Sequence, residues 1–557
     1  MEDEERAPVA LALSGWGCCV HCVLRFLGER SQATYRLPRD VRAKYTDCLM
    51  LERWLQSLKS DTDSDTATDR ATPSGDTIND TSIGDIANNV STGDASADTA
   101  KDVSIGDTAN DMSTGDTAVS TGDSGVCVTC LGVLQQSHCS EEFLYRISEK
   151  VKSEKFEFSN FFCSLTFPVA LLVREHAIWV LLKELLPDVY SDNHGDIKMV
   201  KDVWKWINGA RLVEKLAAPL DQKSSFEVAM MFEHTDTAGE CNFLCDLCPD
   251  QFRKHKNREM FTKIRVGQVL SEMDDSTFKS CYQCPPRRLK APCECVTIRC
   301  KHDAIYVAGR YNKYSRTLSQ TPWIIDGSRK TESSIEELVC TKIQDLFRAD
   351  EYRFSASGRE DVDVKMLGSG RPFVMDMTSP HRVTVRPEEL DKLQKEINSS
   401  TTEIAVRDLQ IVTREETNRL KEGEMLKTKT YSALCWAQTT LTPEDMKKLD
   451  SVKDLALQQK TPIRVLHRRP LGVREKCVHK MSAELLDPHH FRLQLSTQAG
   501  TYIKEFVHGD FGRTRPNLGE LLQTDCDILE LNVEVRHRTG TAYSVSPTYL
   551  MSDLRCS

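Results

Sequence analysis

Between residues 61 and 125 the chain loses almost every bulky apolar side chain, and that tract sets where a core can form. It is built from Asp, Thr, Ser, Gly and Ala. SIGDIANNVSTGD, from position 82, recurs imperfectly as SIGDTANDMSTGD from position 104. The repeated units hold no apolar set to stack, which argues against a solenoid. Such a composition cannot bury enough surface to offset chain entropy, so the tract is expected to be a disordered insertion. Its fourteen aspartates face only Arg70 and Lys101, so about −12 resides there. The whole chain carries −10, which leaves the remainder near +2. The acidic total therefore does not exclude a polyanionic partner.

Removing the insertion brings two similar cysteine pairs together. Cys19-Val20-His21-Cys22 runs into Val23-Leu24-Arg25-Phe26, and Cys127-Val128-Thr129-Cys130 runs into Leu131-Gly132-Val133-Leu134. Two short loops that each supply two thiolates suit a four-cysteine zinc site. A redox pair is the alternative, although no thioredoxin-like βαβ unit lies nearby. Cys18 adjoins the first pair and can confuse the ligand register. Cys241, Cys245 and Cys248, and Cys281 with Cys284, are read as free thiols, with a second zinc as the minority reading. At 557 residues the chain is long enough for two or more domains. Phe167 to Val173 is among the longest apolar runs, far short of a membrane span. The acidic start MEDEER makes Ala7 to Leu13 a poor signal segment. An intracellular protein is expected, cytoplasmic or nuclear, whose 21 cysteines are mainly thiols.

The sharpest local signal is SASGREDVDVKMLGSGRPF, residues 355–373. Asp361 follows Gly358-Arg359-Glu360 at the entrance to an alternating segment, Val362, Val364 and Met366. Gly368-Ser369-Gly370 is read as a turn and Pro372 to Met377 as the return strand of a hairpin. A carboxylate fixed beside an arginine is suited to attack on an electrophilic carbon. Two more stretches follow in order: LKTKTYSALCWA (426–437) and STQAGTYIKEFVHGDFGRTRP (496–516). Upstream stands GRYNKYSRTLSQTPW (309–323). These segments resemble motifs I, II and III of pseudouridine synthases. The last-named run is similar to one branch, the archaeal and eukaryotic tRNA pseudouridine-54/55 synthases. The resemblance covers most of residues 296–546.

The resemblance implies isomerisation of a uridine in the TΨC arm of tRNA, at position 54, 55 or both, without a nucleotide cofactor or a catalytic metal. The target uridine must leave its stack for C1′ and the base to rearrange. Asp361 is then the catalytic residue, attacking C1′ or taking a proton from C2′. Arg359 is expected to fill the vacated position or hold the backbone. Tyr431 packs on the released uracil and assists proton removal at C5. Lys504 pairs with Asp361, and Tyr502 forms part of the pocket wall. Asp363 is not expected to form a dyad with Asp361. The family's zinc-binding accessory domain supports Cys19, Cys22, Cys127 and Cys130 as ligands of a structural zinc. Singly, each residue has an ordinary alternative: Asp361 a turn residue, Tyr431 a cross-strand aromatic, Tyr502 a core residue, Lys504 a solvated lysine.

Four segments are expected: 1–60 zinc-binding, 61–125 the insertion, 126–290 an α/β region that completes the zinc site and that the resemblance implies is THUMP-like and RNA-binding, and 296–546 catalytic. In the accessory region, Ala170 to Leu186 has helical spacing, and Phe156 to Phe167 reads as strand-rich. Trp204 and Trp206 lie among Lys201, Lys205 and Arg211, an aromatic-basic mixture that suits either RNA or a buried amphipathic face. The catalytic half alternates strands (304–311, 404–412, 426–436) with helices (334–347, and from Pro387), an α+β pattern with a central mixed or antiparallel sheet. Ser334 and Glu337 have capping-box spacing. Arg464, His467, Arg468, Arg469, Arg474, Lys476 and Lys480, with Arg513 and Arg515, form the densest basic stretch. Arg464, Arg468, Arg469 and Arg513 are taken as phosphate contacts. A nuclear localisation signal at 467–470 is the competing use. The expected partners are tRNA and other structured RNAs, bound by a monomer, with no membrane. Two other classes compete: a non-catalytic RNA-binding protein of the same fold, and a THUMP-associated methyltransferase or thiouridine synthetase. The last two need a Gly-rich dinucleotide loop or a phosphate loop, and Gly368-Ser369-Gly370 is too short to be either.

Overall fold

A computed structural model describes residues 3–36, 125–190, 197–252, 260–418, 428–467 and 469–535. The acidic insertion lies outside the described residues apart from Gly125, and Arg468 lies outside them as well. Two compact units are present, and the chain passes between them more than once: Met1–Ser140, Pro168–Ile207 and His234–Glu294 form one, and Glu141–Phe167, Asn208–Glu233 and Cys295–Ser557 the other.

The first unit is mainly helical. Its core lies on one side of the helix Ala170–Leu185, where Val173, Ala177 and Val180 meet Leu244, Phe252, Val266, Val269, Leu270 and Phe278. That helix matches the spacing of its apolar residues. Arg174, fully buried on it, pairs with Glu240 and donates to the carbonyl of Val128 at 2.9 Å. A buried guanidinium is tolerated because a carboxylate and carbonyl oxygens surround it. Trp204 is also fully buried, with its indole N–H donating to His138 O at 3.0 Å, so it belongs to a buried amphipathic face and not to an RNA-contacting one.

Among the described residues the second unit holds two larger sheets and one two-stranded sheet. The three-stranded one has β1 (Phe162–Thr166), β2 (Phe226–Glu233) and β3 (Glu294–His302) in the order β1-β2-β3, with β1 and β2 parallel. Only β1 realises the strand-rich stretch 156–167. A two-stranded ribbon, β5 (Ile324–Ile325) with β6 (Ser328–Arg329), stands apart. Among the described residues the larger sheet has ten strands. These are β4 (Ile305–Lys313), β7 (Ala349–Ala356), β8 (Lys365–Pro380), β9 (Ile404–Val412), β10 (Lys429–Ala437), β11 (Lys453–Lys460), β12 (Val473–Leu485), β13 (His490–Thr497), β14 (Thr514–Arg515) and β15 (Cys526–Val535). Their order is β14-β11-β12-β13-β10-β15-β8-β4-β9, with β7 also on β8. β15 and β8 run parallel while their neighbours pair antiparallel, so the sheet is mixed, as expected.

Helices Ile335–Phe347 and Pro387–Ser400 cover this sheet and bury Val339, Ile343, Phe347, Leu390, Leu393 and Ile397. Ser334 caps the first of them, its Oγ accepting from Glu337 N at 3.2 Å, as the capping-box spacing requires. The expected hairpin at Gly368-Ser369-Gly370 is overturned: β8 runs unbroken from Lys365 to Pro380. Gly368 and Gly370 have left-handed φ of 65° and 76°, which bends the strand instead of reversing it. Its first part pairs with β15 and its later part with β4 and β7. A Cβ on Gly370 would stand 2.8 Å from the carbonyl oxygen of Tyr311, so glycine also permits the close approach to β4.

Candidate active site

Asp361 sits in the loop between β7 and β8, at the point where β8 enters the sheet. The run 309–320 holds this loop from beneath. Successive odd positions of β4 share one face, which carries Val307, Tyr311 and Lys313, all fully buried. Lys313 Nζ donates to Val362 O at 2.6 Å, Asp361 O at 3.1 Å and Leu318 O at 2.8 Å. Burial pushes its ammonium down to about 8, against the pull of the Glu360, Asp363 and Asp361 carboxylates. Tyr311 donates its hydroxyl to Glu360, 2.9 Å from Oε1, and accepts from Gln320 Nε2 at 2.7 Å. Gln320 also donates to Gly358 O at 2.9 Å. Arg371 closes the set, giving Nε to Glu360 Oε2 at 2.8 Å and Nη1 to Ser357 O at 2.7 Å. Arg316 reaches Asp363 O at 2.8 Å. Carbonyls of five loop residues, Ser357, Gly358, Asp361, Val362 and Asp363, are thus held by side chains of β4, its following loop and β8.

The Asp361 side chain faces two cations. Arg464 Nη1 lies 2.7 Å from Asp361 Oδ2, and Arg464 Nε lies 2.6 Å from Glu505 Oε1. Glu505 is buried, so it fixes the guanidinium from behind. Lys504 stands 3.9 Å from Asp361 Oδ2 but only 2.6 Å from Asp363 Oδ2. Burial pushes the Asp363 carboxyl up, yet Lys504 outweighs it and holds the group below its ordinary range. Lys504 and Glu505 open the short helix Ile503–His508. Tyr502 precedes that helix, its N–H donating to Gln459 Oε1 and its C=O accepting from Gln459 Nε2, both at 2.9 Å.

Tyr431 lies on β10, in one rung with Val533 of β15 and Met366 of β8. It is buried, and burial raises its hydroxyl above the ordinary phenol range while Arg371 opposes. The fold therefore carries Tyr431 to the sheet end from which the Asp361 loop springs. Arg359 is exposed on that loop.

The expected phosphate contacts divide. Arg469 is exposed. Arg464 stands beside the carboxylate, held by Asp361 and Glu505. Arg513 is partly buried and donates Nη2 to Thr461 O at 2.6 Å. Sequence reasoning also passed over Lys313, Tyr311, Glu360, Gln320 and Arg371. The signal for Lys313 was its position two residues beyond Tyr311, which places a charged group on the apolar face of a strand.

In the first unit, Cys19, Cys22, Cys127 and Cys130 are all buried and their sulfurs lie within 4.8 Å of one another. Cys19 Sγ and Cys130 Sγ are 3.8 Å apart, and Cys19 N–H points at Cys127 Sγ at 3.2 Å. Tetrahedral thiolates at a metal–sulfur distance of about 2.3 Å are separated by about 3.8 Å, so the donor set fits a metal ion. Cys18 lies outside this group, its Sγ 3.2 Å from Thr129 Oγ1 and also beside the Cys127 thiol. Among the described residues, Cys241, Cys245 and Cys248 form no such group and pack in or against the helical core instead.

Two family models match: the one described as "Pus10, C-terminal" over residues 306–535, and "Eukaryotic Pus10, N-terminal" over 127–300. A Homo sapiens protein named tRNA pseudouridine synthase Pus10 is 44% identical over 534 residues, covering 95% of this chain and 97% of its own. A Xenopus laevis protein of the same name is 43% identical and covers 96% and 97%. One from Pyrococcus furiosus is 38% identical over 230 residues, 41% of this chain and 56% of its own. A solved Cbf5-Nop10-Gar1 complex aligns with 40% of this chain at 14% identity and a TM-score of 0.23, a likeness that carries no weight. Residues 306–535, with the large mixed sheet and its flanking helices, are the α+β pseudouridine synthase part of the chain. The chain belongs to the Pus10 family.

Proposed function

We propose that this chain converts uridine to pseudouridine in the TΨC arm of tRNA, at position 54, 55 or both, with Asp361 as the catalytic residue. The observation that carries the reading is the Asp361 carboxylate, about one-third exposed, on a loop clamped by buried side chains and faced by Arg464 and Lys504. Such pre-organisation suits a group that must meet a ribose in one geometry. The C1′–N1 bond breaks as Asp361 attacks C1′ or removes a C2′ proton. The uracil turns against Tyr431 and C5 bonds to C1′, which expels the Asp361 carboxylate on the first route; on the second, Asp361 returns the proton to C2′. The C5 proton is then lost, and N1 ends protonated. Arg464 and Lys504 balance the carboxylate charge in the pocket. Arg359, exposed on the same loop, replaces the extruded uridine in the stack or holds its backbone, and Tyr502 lines the pocket.

Residues 126–290 bind the rest of the RNA as a THUMP-like region, and 296–546 is the catalytic segment. Cys19, Cys22, Cys127 and Cys130 hold a structural zinc, which ties the segments on either side of the insertion and takes no part in the reaction. The protein acts as a monomer on tRNA and on other structured RNAs. Among the described residues no helix is long and apolar enough to cross a membrane. The test is incubation with an unmodified tRNA transcript and mapping of pseudouridine after carbodiimide treatment. Product at 54 or 55 supports the reading, and binding without product supports a non-catalytic RNA-binding role.

A further inference from the structure

Phe511 is 95% exposed, more than any other large apolar side chain among the described residues. The backbone beneath it is unusual: Gly509, Asp510, Phe511 and Gly512 all have left-handed φ, of 77°, 48°, 54° and 78°. For a bulky aromatic residue this conformation is an outlier that surrounding structure must enforce. Several bonds enforce it. Thr514 N–H donates to Gly509 O and Arg513 N–H to Asp510 O, both at 3.1 Å. The buried Asp510 carboxylate accepts from Ile463 N–H at 3.2 Å. The turn is thus pinned between the helix Ile503–His508, which carries Lys504 and Glu505, and β14. Ile463 is also the neighbour of Arg464, the partner of Asp361. The ring thus stands exposed on an anchored turn whose Asp510 is bonded to the residue next to Arg464. The exposed cations Lys460, Arg469 and Arg515 occupy the neighbouring segments.

We propose that Phe511 is a stacking platform for a nucleobase of the bound RNA next to the target uridine. The inference rests on the reading of this chain as a tRNA pseudouridine synthase. An aromatic face is sequence-tolerant toward bases, and the surrounding positive charge suits a phosphate backbone better than an apolar protein surface. Extruding one nucleotide leaves its neighbour with an uncovered face, which the ring covers.

The test compares full-length wild type with Phe511→Ala, Phe511→Leu and Phe511→Trp. Each is titrated with unmodified tRNA transcript in a filter-binding assay and assayed for pseudouridine under kcat/KM conditions. Phe511→Ala is expected to weaken tRNA binding and kcat/KM by one to two orders of magnitude, the range that base–aromatic stacking spans. Phe511→Trp restores both, Phe511→Leu does not, and thermal melting is unchanged because the side chain touches little in the free protein. Wild-type binding by Phe511→Ala overturns the proposal, as does full rescue by Phe511→Leu. Absence of pseudouridine with the wild type defeats the underlying reading instead, while the binding titration still decides the role of Phe511.

Discussion

The Arg464 guanidinium lies 2.7 Å from Asp361 Oδ2, and the buried Glu505 carboxylate holds the same guanidinium from the other side at 2.6 Å. A lysine at 464 has one ammonium and cannot present two aligned nitrogens to two carboxylates. Arg464→Ala and Arg464→Lys are both expected to lower kcat by about 10²-fold through loss of carboxylate positioning. A phosphate contact would behave differently. Its removal flattens the dependence of tRNA affinity on salt by about one in the log–log slope. The slope for Arg464→Ala is expected to match that of wild type.

Glu360 is expected to matter for folding more than its place beside Asp361 suggests. It is buried, pairs with the buried Arg371 and accepts from Tyr311. Glu360→Ala leaves a guanidinium without its counter-charge, and breaking such a pair costs about 3–5 kcal/mol. Tyr311→Phe removes the hydroxyl that donates to Glu360 and accepts from Gln320, but strands no charge, and should cost about 1–3 kcal/mol. Urea denaturation midpoints of the two variants check the order.

Lys313 gives the site two opposed pH dependences. Its ammonium titrates near 8 in the folded protein because it is buried, against an ordinary value of 10.5. Below pH 8 both folded and unfolded chains hold the proton. Between about 8 and 10.5 only the unfolded chain does, so this group makes folding stability rise with pH across that window. Activity moves the other way. A neutral amine has two N–H groups for the three carbonyls of Leu318, Asp361 and Val362, so the Asp361 loop loses a tether as pH passes 8. Lys313→Met is expected to flatten both trends, read by urea midpoints and by kcat from pH 7 to 10.

The four-cysteine site gives a compositional prediction. Cys127→Ser in the full-length chain is expected to remove about one equivalent of zinc and to destabilise the helical unit, since binding free energy at such sites is folding free energy. Metal analysis after dialysis, with circular dichroism melting, reads both effects. Cys18→Ser, at a residue outside the four-sulfur group, is expected to leave the metal content unchanged.

What was legible in the sequence divides by range. Local rules found the Ser334–Glu337 cap, the apolar stripe of the helix Pro387–Ser400 and the strands β4 and β9, because each signal lies within a few residues. The order of the Asp361, Tyr431 and Lys504 segments carried the class of chemistry. The hairpin at 368–370 failed because a Gly-x-Gly signal reads alike whether a strand reverses or bends, and pairing with β15, β4 and β7 decides between them. The Arg464–Asp361 pair was out of reach because the two lie 103 residues apart in the chain, and a basic run on its own suggests solvent or phosphate. Tyr311 and Lys313 were noticed only as part of a family fingerprint. Their shared strand face already implied a buried ammonium in need of acceptors.

The most direct measurement is the Asp361→Asn protein on an unmodified tRNA transcript, with pseudouridine mapped at positions 54 and 55 beside wild type. The account predicts wild-type tRNA affinity with no detectable product, because the amide keeps the size of the side chain and loses its charge. Pseudouridine formed at the wild-type rate by Asp361→Asn would contradict the assignment of this carboxylate.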